Sequence, residues 1–397
     1  MNLFPADPNN PNKHDEYGAL RMVMWFMFGL LGWTILKNAW VGEDSYIAWR
    51  SAKHLVEGHG LRWNIAERVQ VFTDPLWLLV VSIFYKFTHE IFITTILLSI
   101  ICSLGVVYLG IKLLKPSVPV ALFGLAALCS SKAFIDYATS GLENPMSYLL
   151  GGLFVIIALK MQVSRKTLGW LTLVASFSAF NRLDSILFFL PALTWFAYRV
   201  IFVQKEGFFR TVITVFICSA PLWLWLAFAT VYFGSPLPNT YYSKTNTGIP
   251  VNFLRQQGVL YFLNSLKWDT ITLGFIFTVL FLSFRKTGTR IKLLAFGIML
   301  YMVYTVNVGA DFMSGRFFSV PMALAGIMLF SMELSPVQGF SLGAAALMIG
   351  FTIAKPALLP PSNKKFLPWE IMDATGVADE REYYFSNAGL TSFYSLW

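Results

Sequence analysis

Charge is scarce in this chain. Of its 397 residues only 13% are Asp, Glu, Lys or Arg, about half the roughly 25% of an ordinary soluble domain, which excludes a soluble enzyme. Cysteine and histidine are scarcer still, at 3 and 4. Cys102, Cys129 and Cys218 each lie inside an apolar run, so there is no CxxC pair, metal cluster or secretory disulfide framework, and packing is their expected role. Signature motifs are missing too. No GxxxxGK[ST], no GxGxxG opening a βαβ unit, no HExxH and no GxSxG occurs, which leaves nucleotide hydrolysis, dinucleotide redox chemistry, zinc proteolysis and α/β-hydrolase chemistry without support.

What the chain does have is apolar surface: 56% hydrophobic residues and 17% aromatics, with a mean hydropathy of +0.61. A single globular core of this length cannot bury that much, so lipid has to solvate it. The expected fold class is therefore an all-α polytopic membrane protein, with the lipid bilayer as its first partner. The net charge of +9 would suggest nucleic acid in a soluble chain; here it reads as the cytoplasmic anchors of membrane helices, with no nucleic-acid partner.

Residues 1–21 are polar, contain Pro5, Pro8 and Pro11, and lack the short apolar core and small-residue cleavage site of a signal peptide. They read as a cytoplasmic tail, followed by a retained signal anchor at 22–41. Further apolar runs lie at 91–114, 118–135, 145–161, 168–180, 185–203, 211–233, 270–284, 291–308, 317–332 and 339–354, giving about eleven spans. With the N-terminus inside, the cytoplasmic loops collect Lys112 and Lys115, then Lys160, Arg165 and Lys166, then Arg199, Lys205 and Arg210, then Arg285, Lys286, Arg290 and Lys292. That bias requires the segment 74–87 to lie in the interface, as its Pro75 and flanking Lys86, His89 and Glu90 suggest. The first outer loop then runs over 42–90 and contains interfacial helices. Its Arg50, Lys53, Arg62 and Arg68 go against the charge rule, so either function holds them there or the topology differs.

The same orientation puts every polar signature on one face. Glu43 and Asp44 directly follow the first span, where one carboxylate can serve as general base between a water-borne acceptor and a lipid-borne donor, or simply begin a solvated loop. In the helix expected over 45–60, Arg50, Lys53 and His54 fall on roughly one arc, suited to a phosphate or to snorkelling. Glu143 opens the next helix, where capping alone would explain it. Arg182 and Asp184 can pair at the membrane edge, with Arg182 a candidate phosphate ligand. Tyr241 and Lys244, in PLPNTYYSK, can bind sugar or phosphate, and an aromatic belt is the alternative for the tyrosine. Asp311 and Arg316, in GADFMSGR, sit between glycines at a span entrance and can form a salt bridge.

The stretch EDSYIAWRSAKHLVEGHGLRWNIAERVQVFTDPLW resembles the first outer loop of the GT-C glycosyltransferases related to the terminal arabinofuranosyltransferase B of mycobacteria and corynebacteria. There an Asp-Asp pair opens a run like DDAFITFRYA, followed by EGxGLxFNxGExVEGYT and LW. The likeness continues through ATSGLENPM, NRLDSILFFLPAL, PLPNTYYSK, GADFMSGRFF and ADEREYYF, and so covers nearly the whole chain. It implies a GT-C-like bundle over 22–354 in the bacterial inner membrane, with a site facing the periplasm or outer side. The implied donor is a polyprenyl-phosphate sugar, and the implied acceptor a cell-envelope glycan or glycolipid. Asp44 matches the second acidic residue of the family pair and is the expected catalytic carboxylate, while Glu43 stands where the family has Asp. FTDPLW replaces the usual YTN or YTS, which adds Asp74 as an acidic group. Family members carry a larger C-terminal outer domain, so residues 355–397 read as a short extracytoplasmic segment, a truncated version of it. No cofactor is demanded; a divalent metal bridging carboxylate and phosphate is compatible with these residues, but no ligand cluster requires one. The rival from another class is a transporter or flippase of lipid-linked sugars, which would place charges at the midplane and show two similar halves.

Overall fold

The computed structural model describes residues 11–245, 248–286, 288–353, 355–359 and 364–393. Among them regular structure is helical, with only isolated β-bridges. The chain begins with α1 (Pro11–Lys37), runs through α2 (Glu43–Val56) and α3 (Pro75–Thr88), and continues as α4 (Ile91–Leu114). Next come α5 (Val118–Ser130), α6 (Lys132–Tyr137), α7 (Asn144–Lys160), α8 (Arg165–Asn181) and α9 (Ile186–Tyr198). Then follow α10 (Phe208–Cys218), α11 (Ala220–Phe233), the short α12 (Asn239–Thr245), α13 (Val251–Trp268) and α14 (Thr270–Lys286). The series closes with α15 (Thr289–Asn307), α16 (Arg316–Leu329), α17 (Pro336–Thr352), α18 (Glu380–Ala388) and α19 (Leu390–Phe393).

Local chemistry sets the boundaries. The Glu90 carboxylate accepts from the amides of Phe92 at 3.1 Å and Ile93 at 2.6 Å and so caps α4, and Ser335 with Gln338 forms a capping box that starts α17 beside Pro336. The interior is aromatic and aliphatic: Phe134 stacks on Tyr148, Phe154 packs at a tilt against Phe189, and Phe188 stacks on Tyr301, tying α6, α7, α9 and α15 into one core.

Against the expected eleven or so spans, four helices are long and apolar enough to cross a membrane on their own, and up to six if each of two bent pairs is one span. The other apolar helices are shorter: Pro75–Thr88, Val118–Ser130, Asn144–Lys160, Arg316–Leu329 and Pro336–Thr352. Three expectations change in detail. The run 211–233 is not one straight helix but bends by 55° between α10 and α11, because Pro221 in the first turn of α11 cannot continue the helix before it. Ser176 repairs the break, its hydroxyl donating to Ser219 O at 3.0 Å and accepting from Leu222 N at 3.0 Å. The run 118–135 divides at Ser131, whose hydroxyl starts α6 by accepting from Phe134 N. Helix α13 is not announced by the apolar pattern, since Arg255, Gln256, Gln257, Asn264 and Lys267 interrupt its apolar face. It meets α14 at 106°, where the buried Asp269 carboxylate accepts from Ala133 N at 2.8 Å and from Thr272 N at 3.4 Å.

The two ends of the bundle differ. At one, Arg290 donates to Ala158 O and Met161 O and Arg165 faces Glu206, so the basic short loops gather there. At the other, the segment from Val377 onward folds back onto the bundle. Met313 bridges Ala378, Trp40 bridges Gly389, and Leu390 N donates to Ala39 O at 2.8 Å.

Candidate active site

The site begins where α2 starts. Gly42 N donates to Ser140 O at 2.9 Å, Ser45 Oγ to the same carbonyl at 3.0 Å, and Trp77 Nε1 to Gly141 O at 2.9 Å. Gly141 has φ +80°, and a Cβ there would overlap the Ser45 hydroxyl, so only glycine lets the buried 138–143 loop lie this close under α2. Glu43 and Asp44 thus occupy the first turn of a helix, where its dipole favours acids, directly above the loop that carries Glu143.

Glu143 does not cap α7. Its side chain, 2% exposed, joins two arginines: Oε1 accepts from Arg182 Nη1 at 2.5 Å and Oε2 from Arg316 Nη2 at 3.4 Å. Arg182 also holds Asp184 through Nε at 2.9 and 3.1 Å and lies over the Phe317 ring. Arg316 Nη1 faces Asp311 Oδ2 at 3.3 Å and Asp44 Oδ2 at 3.5 Å. Gly315 sets the entry to α16 at φ +79°, with Ala133 against the space a Cβ would need. Two buried asparagines fix the frame: Asn144 Nδ2 donates to Ser319 Oγ at 2.8 Å, and Asn181 Nδ2 to Glu143 O at 3.1 Å and Ser147 Oγ at 2.9 Å.

The carboxylates are not equivalent. Burial alone would raise Glu143, but Arg316 and Arg182 outweigh it and hold the acid well below its usual range. Asp44 is raised, chiefly by burial, with Asp311, Glu143 and Glu43 adding repulsion that Arg316 only partly offsets. Asp74, buried at the entrance of α3 and without a side-chain cap bond, is pushed up by burial and then by Glu143. Asp44 alone of the central acids keeps a 41% exposed side chain beside a buried arginine, the arrangement of a reactive carboxylate open to a substrate.

Of the residues singled out in the sequence, Asp44, Glu143, Arg182, Asp184, Asp311 and Arg316 form this one network, with Asp74 in its field. Glu43 stands at its edge and accepts from the Tyr384 hydroxyl at 2.6 Å. Arg50 and His54 do not join it. Arg50 reaches Asn64 and lies over Trp63, 4.4 Å from the ring centroid, and His54 Nδ1 pairs with Arg62 O at 3.0 Å. Tyr241 and Lys244 lie exposed on α12; Tyr241 reaches the field of Tyr304, which also feels Arg182 and Asp184. Among the described residues no group of three or more His, Cys, Asp and Glu side chains has the spacing to hold a metal ion. Residue-by-residue reading missed Asn144, Asn181, Glu380 and Tyr384. For the last two the signal was the density of charge and tyrosine in the motif ADEREYYF.

Superposition on solved structures decides the fold. The chain matches ArnT from Cupriavidus metallidurans, bound to undecaprenyl phosphate, with a TM-score of 0.56 over 84% of this chain and 64% of ArnT, at 10% identity. It shares the fold of ArnT. Arabinosyltransferase EmbB from Mycobacterium smegmatis shares this fold at a TM-score of 0.50, over 88% of this chain and 39% of EmbB, at 10% identity. In sequence, the chain is 24% identical over 335 residues to the terminal β-(1→2)-arabinofuranosyltransferase of Corynebacterium glutamicum, covering 73% of this chain and 47% of that protein. It is also 24% identical over 425 residues to the Mycobacterium tuberculosis protein of the same name, covering 91% and 64%. The chain thus spans from about half to under two thirds of the length of these curated relatives. No family model matches it.

Proposed function

We propose that this multi-pass GT-C membrane protein is a glycosyltransferase. It moves a sugar, arabinofuranose or another pentose or hexose, from a polyprenyl-phosphate donor to a hydroxyl of a cell-envelope glycan or glycolipid. The reaction takes place on the extracytoplasmic face of the bacterial inner membrane. The observation that carries this reading is Asp44, half-exposed and 3.5 Å from an arginine that also holds Glu143 and Asp311. In this arrangement Asp44 accepts the proton of the acceptor hydroxyl as its oxygen attacks the anomeric carbon. Positive charge develops on the sugar in an oxocarbenium-like transition state, and the surrounding carboxylates favour it. Arg316 and Arg182, already fixed by Glu143, are placed to meet the departing phosphate without reorganising. The curated relatives named as arabinofuranosyltransferases, and a structural neighbour solved with undecaprenyl phosphate, support both halves of the reading. The flippase alternative is less supported, because the acids of the candidate site gather around one arginine pair, Arg182 and Arg316.

The test is transfer from labelled polyprenyl-phosphate sugars by purified protein, wild type against Asp44→Asn. Loss of about 10²–10⁴-fold in rate, with unfolding temperature kept, is the expected result. Full transfer by the variant would remove Asp44 from the chemistry. Movement of intact donor lipid across vesicles without transfer would install the flippase instead.

A further inference from the structure

One buried acid at the site has no task in the reaction outlined above. Glu380, the first residue of α18, is 8% exposed, and its carboxyl makes no hydrogen bond or ion pair with another described residue. The protein nevertheless fixes its position from three sides. Just before it, Ala378 N donates to Phe312 O at 2.7 Å and Ser314 N to Ala378 O at 2.9 Å, so the chain is laced to the loop that carries Asp311. One turn after it, on the same face of α18, Tyr384 stacks on Trp40 and donates to Glu43. Beyond α18, Gly389 bridges Trp40 at the entrance to α2. Glu380 is therefore suspended between the Asp311 loop and the Glu43–Asp44 turn.

The charged groups that act on it most strongly are of its own sign: Glu43 and Asp44 from α2, Asp311 from the loop before α16, and Asp379 beside it. The nearby cations are committed elsewhere. Arg316 serves Glu143, Asp311 and Asp44, while Lys132, Lys355 and Arg381 serve Asp136, Asp379 and Glu382. Burial and this repulsion push Glu380 up to about 7. A carboxyl held among other carboxylates costs stability, and the Glu380 oxygens are not among the sealed, partnerless polar atoms, so the group stays open to water or to a ligand that donates to it.

We propose that Glu380 is a substrate-contacting residue whose carboxyl accepts a hydrogen bond from a hydroxyl of the incoming glycan acceptor, making α18 a wall of the acceptor half of the site. This rests on the glycosyl-transfer reading. Sugar hydroxyls match the site because they donate to a carboxylate without adding charge, whereas the anionic donor phosphate belongs beside the arginines. A carboxylate accepts more strongly than its protonated form, so the acceptor is held more tightly above about pH 7 than below it.

The experiment uses the full chain in detergent with a labelled polyprenyl-phosphate pentose as donor and a short synthetic furanosyl oligosaccharide as acceptor, and measures both KM values at pH 6 and pH 8. For Glu380→Gln the acceptor KM at pH 8 is expected to rise about tenfold or more, with donor KM and donor hydrolysis by water within twofold of wild type. The wild-type acceptor KM should fall as pH rises through 7, and that of Glu380→Gln should stay flat. The unfolding temperature should hold or increase, because repulsion is relieved. Glu380→Asp keeps the charge, shortens the reach by one methylene and should also raise the acceptor KM, which a purely electrostatic role would not do. An unchanged acceptor KM in both variants, or an equal rise in donor KM, overturns the inference while leaving glycosyl transfer standing. No transfer or hydrolysis by the wild type overturns both.

Discussion

Two charged networks sit at the same end of this bundle and are built to opposite specifications. Around Lys132 the charges are matched, and the inner four, Lys132, Asp136, Asp379 and Arg381, are sealed from solvent. Lys132 pairs with Asp136 and, at 2.9 Å, with Asp379; Arg381 faces Asp136 at 3.0 Å and donates to Asn38 at 2.6 Å; Lys355 holds Asp379 at 3.0 Å and Glu382 at 2.6 Å. Around Arg316 the carboxylates outnumber the cations, since Arg182 and Arg316 face Glu143, Asp184, Asp311 and Asp44 while Asp74 and Glu380 go unpaired. The first network joins α1, α6 and the C-terminal segment, so its product is cohesion. The second leaves Asp44 open and raises it while Glu143 is held low between the arginines, the arrangement that the proposed reaction uses. The same side-chain types do both jobs, and enclosure with charge balance decides which.

Breaking the sealed network should have the largest effect. Lys132→Met leaves Asp136 and Asp379 short of a cation in a dry interior, and a destabilisation of about 3–5 kcal/mol is expected. Thermal unfolding in detergent measures it, and a change too small to detect would mean that the network is not structural. Arg316→Lys keeps a charge in the open network but gives up the fork that reaches Glu143, Asp311 and Asp44 at once. Transfer should fall about 10–100-fold, as expected from losing one charged hydrogen bond, with unfolding temperature little changed. A variant that unfolds early instead would put Arg316 in the same class as Lys132.

The smallest effect is a pH dependence that separates acids within the open network. Glu380, raised from 4.5 to about 7, binds its proton more tightly folded than unfolded, so its ionisation makes stability decline as pH rises from 4.5 to 7 and level off above. Asp74 acts in the same direction. Glu143 is lowered, so its contribution is complete above its ordinary range near 4.5 and disappears only as pH falls through its folded value. Unfolding temperature measured from pH 5 to pH 8 should therefore drift downward in wild type, and less so in Glu380→Gln. An upward drift would reverse the assignment.

Much of this was legible beforehand. Long apolar runs announced helices, and GADFMSGR, NRLDS and ENP announced the members of the Arg316 network individually, because polar residues at the ends of apolar runs are few and stand out. Arg50 and His54 were drawn toward the same site by shared helical spacing, which reports a common face of α2 but not what that face meets. Helix α13 was hidden because its polar residues interrupt the apolar pattern. Lys132 was invisible because its partner Asp379 is 247 residues away.

The sequence by itself determined that the chain lives in lipid and is helical, and that its scarce charges cluster near the ends of apolar runs. These follow from composition and local periodicity, which each segment carries alone. Only the tertiary structure decided that Glu143 serves two arginines and does not cap a helix, that Asp44 stays open, and that the C-terminal segment folds back to reach Glu43 through Tyr384. The reason is physical: a carboxylate's role depends on which cations reach it and on how much water it keeps, and both are properties of the packed bundle.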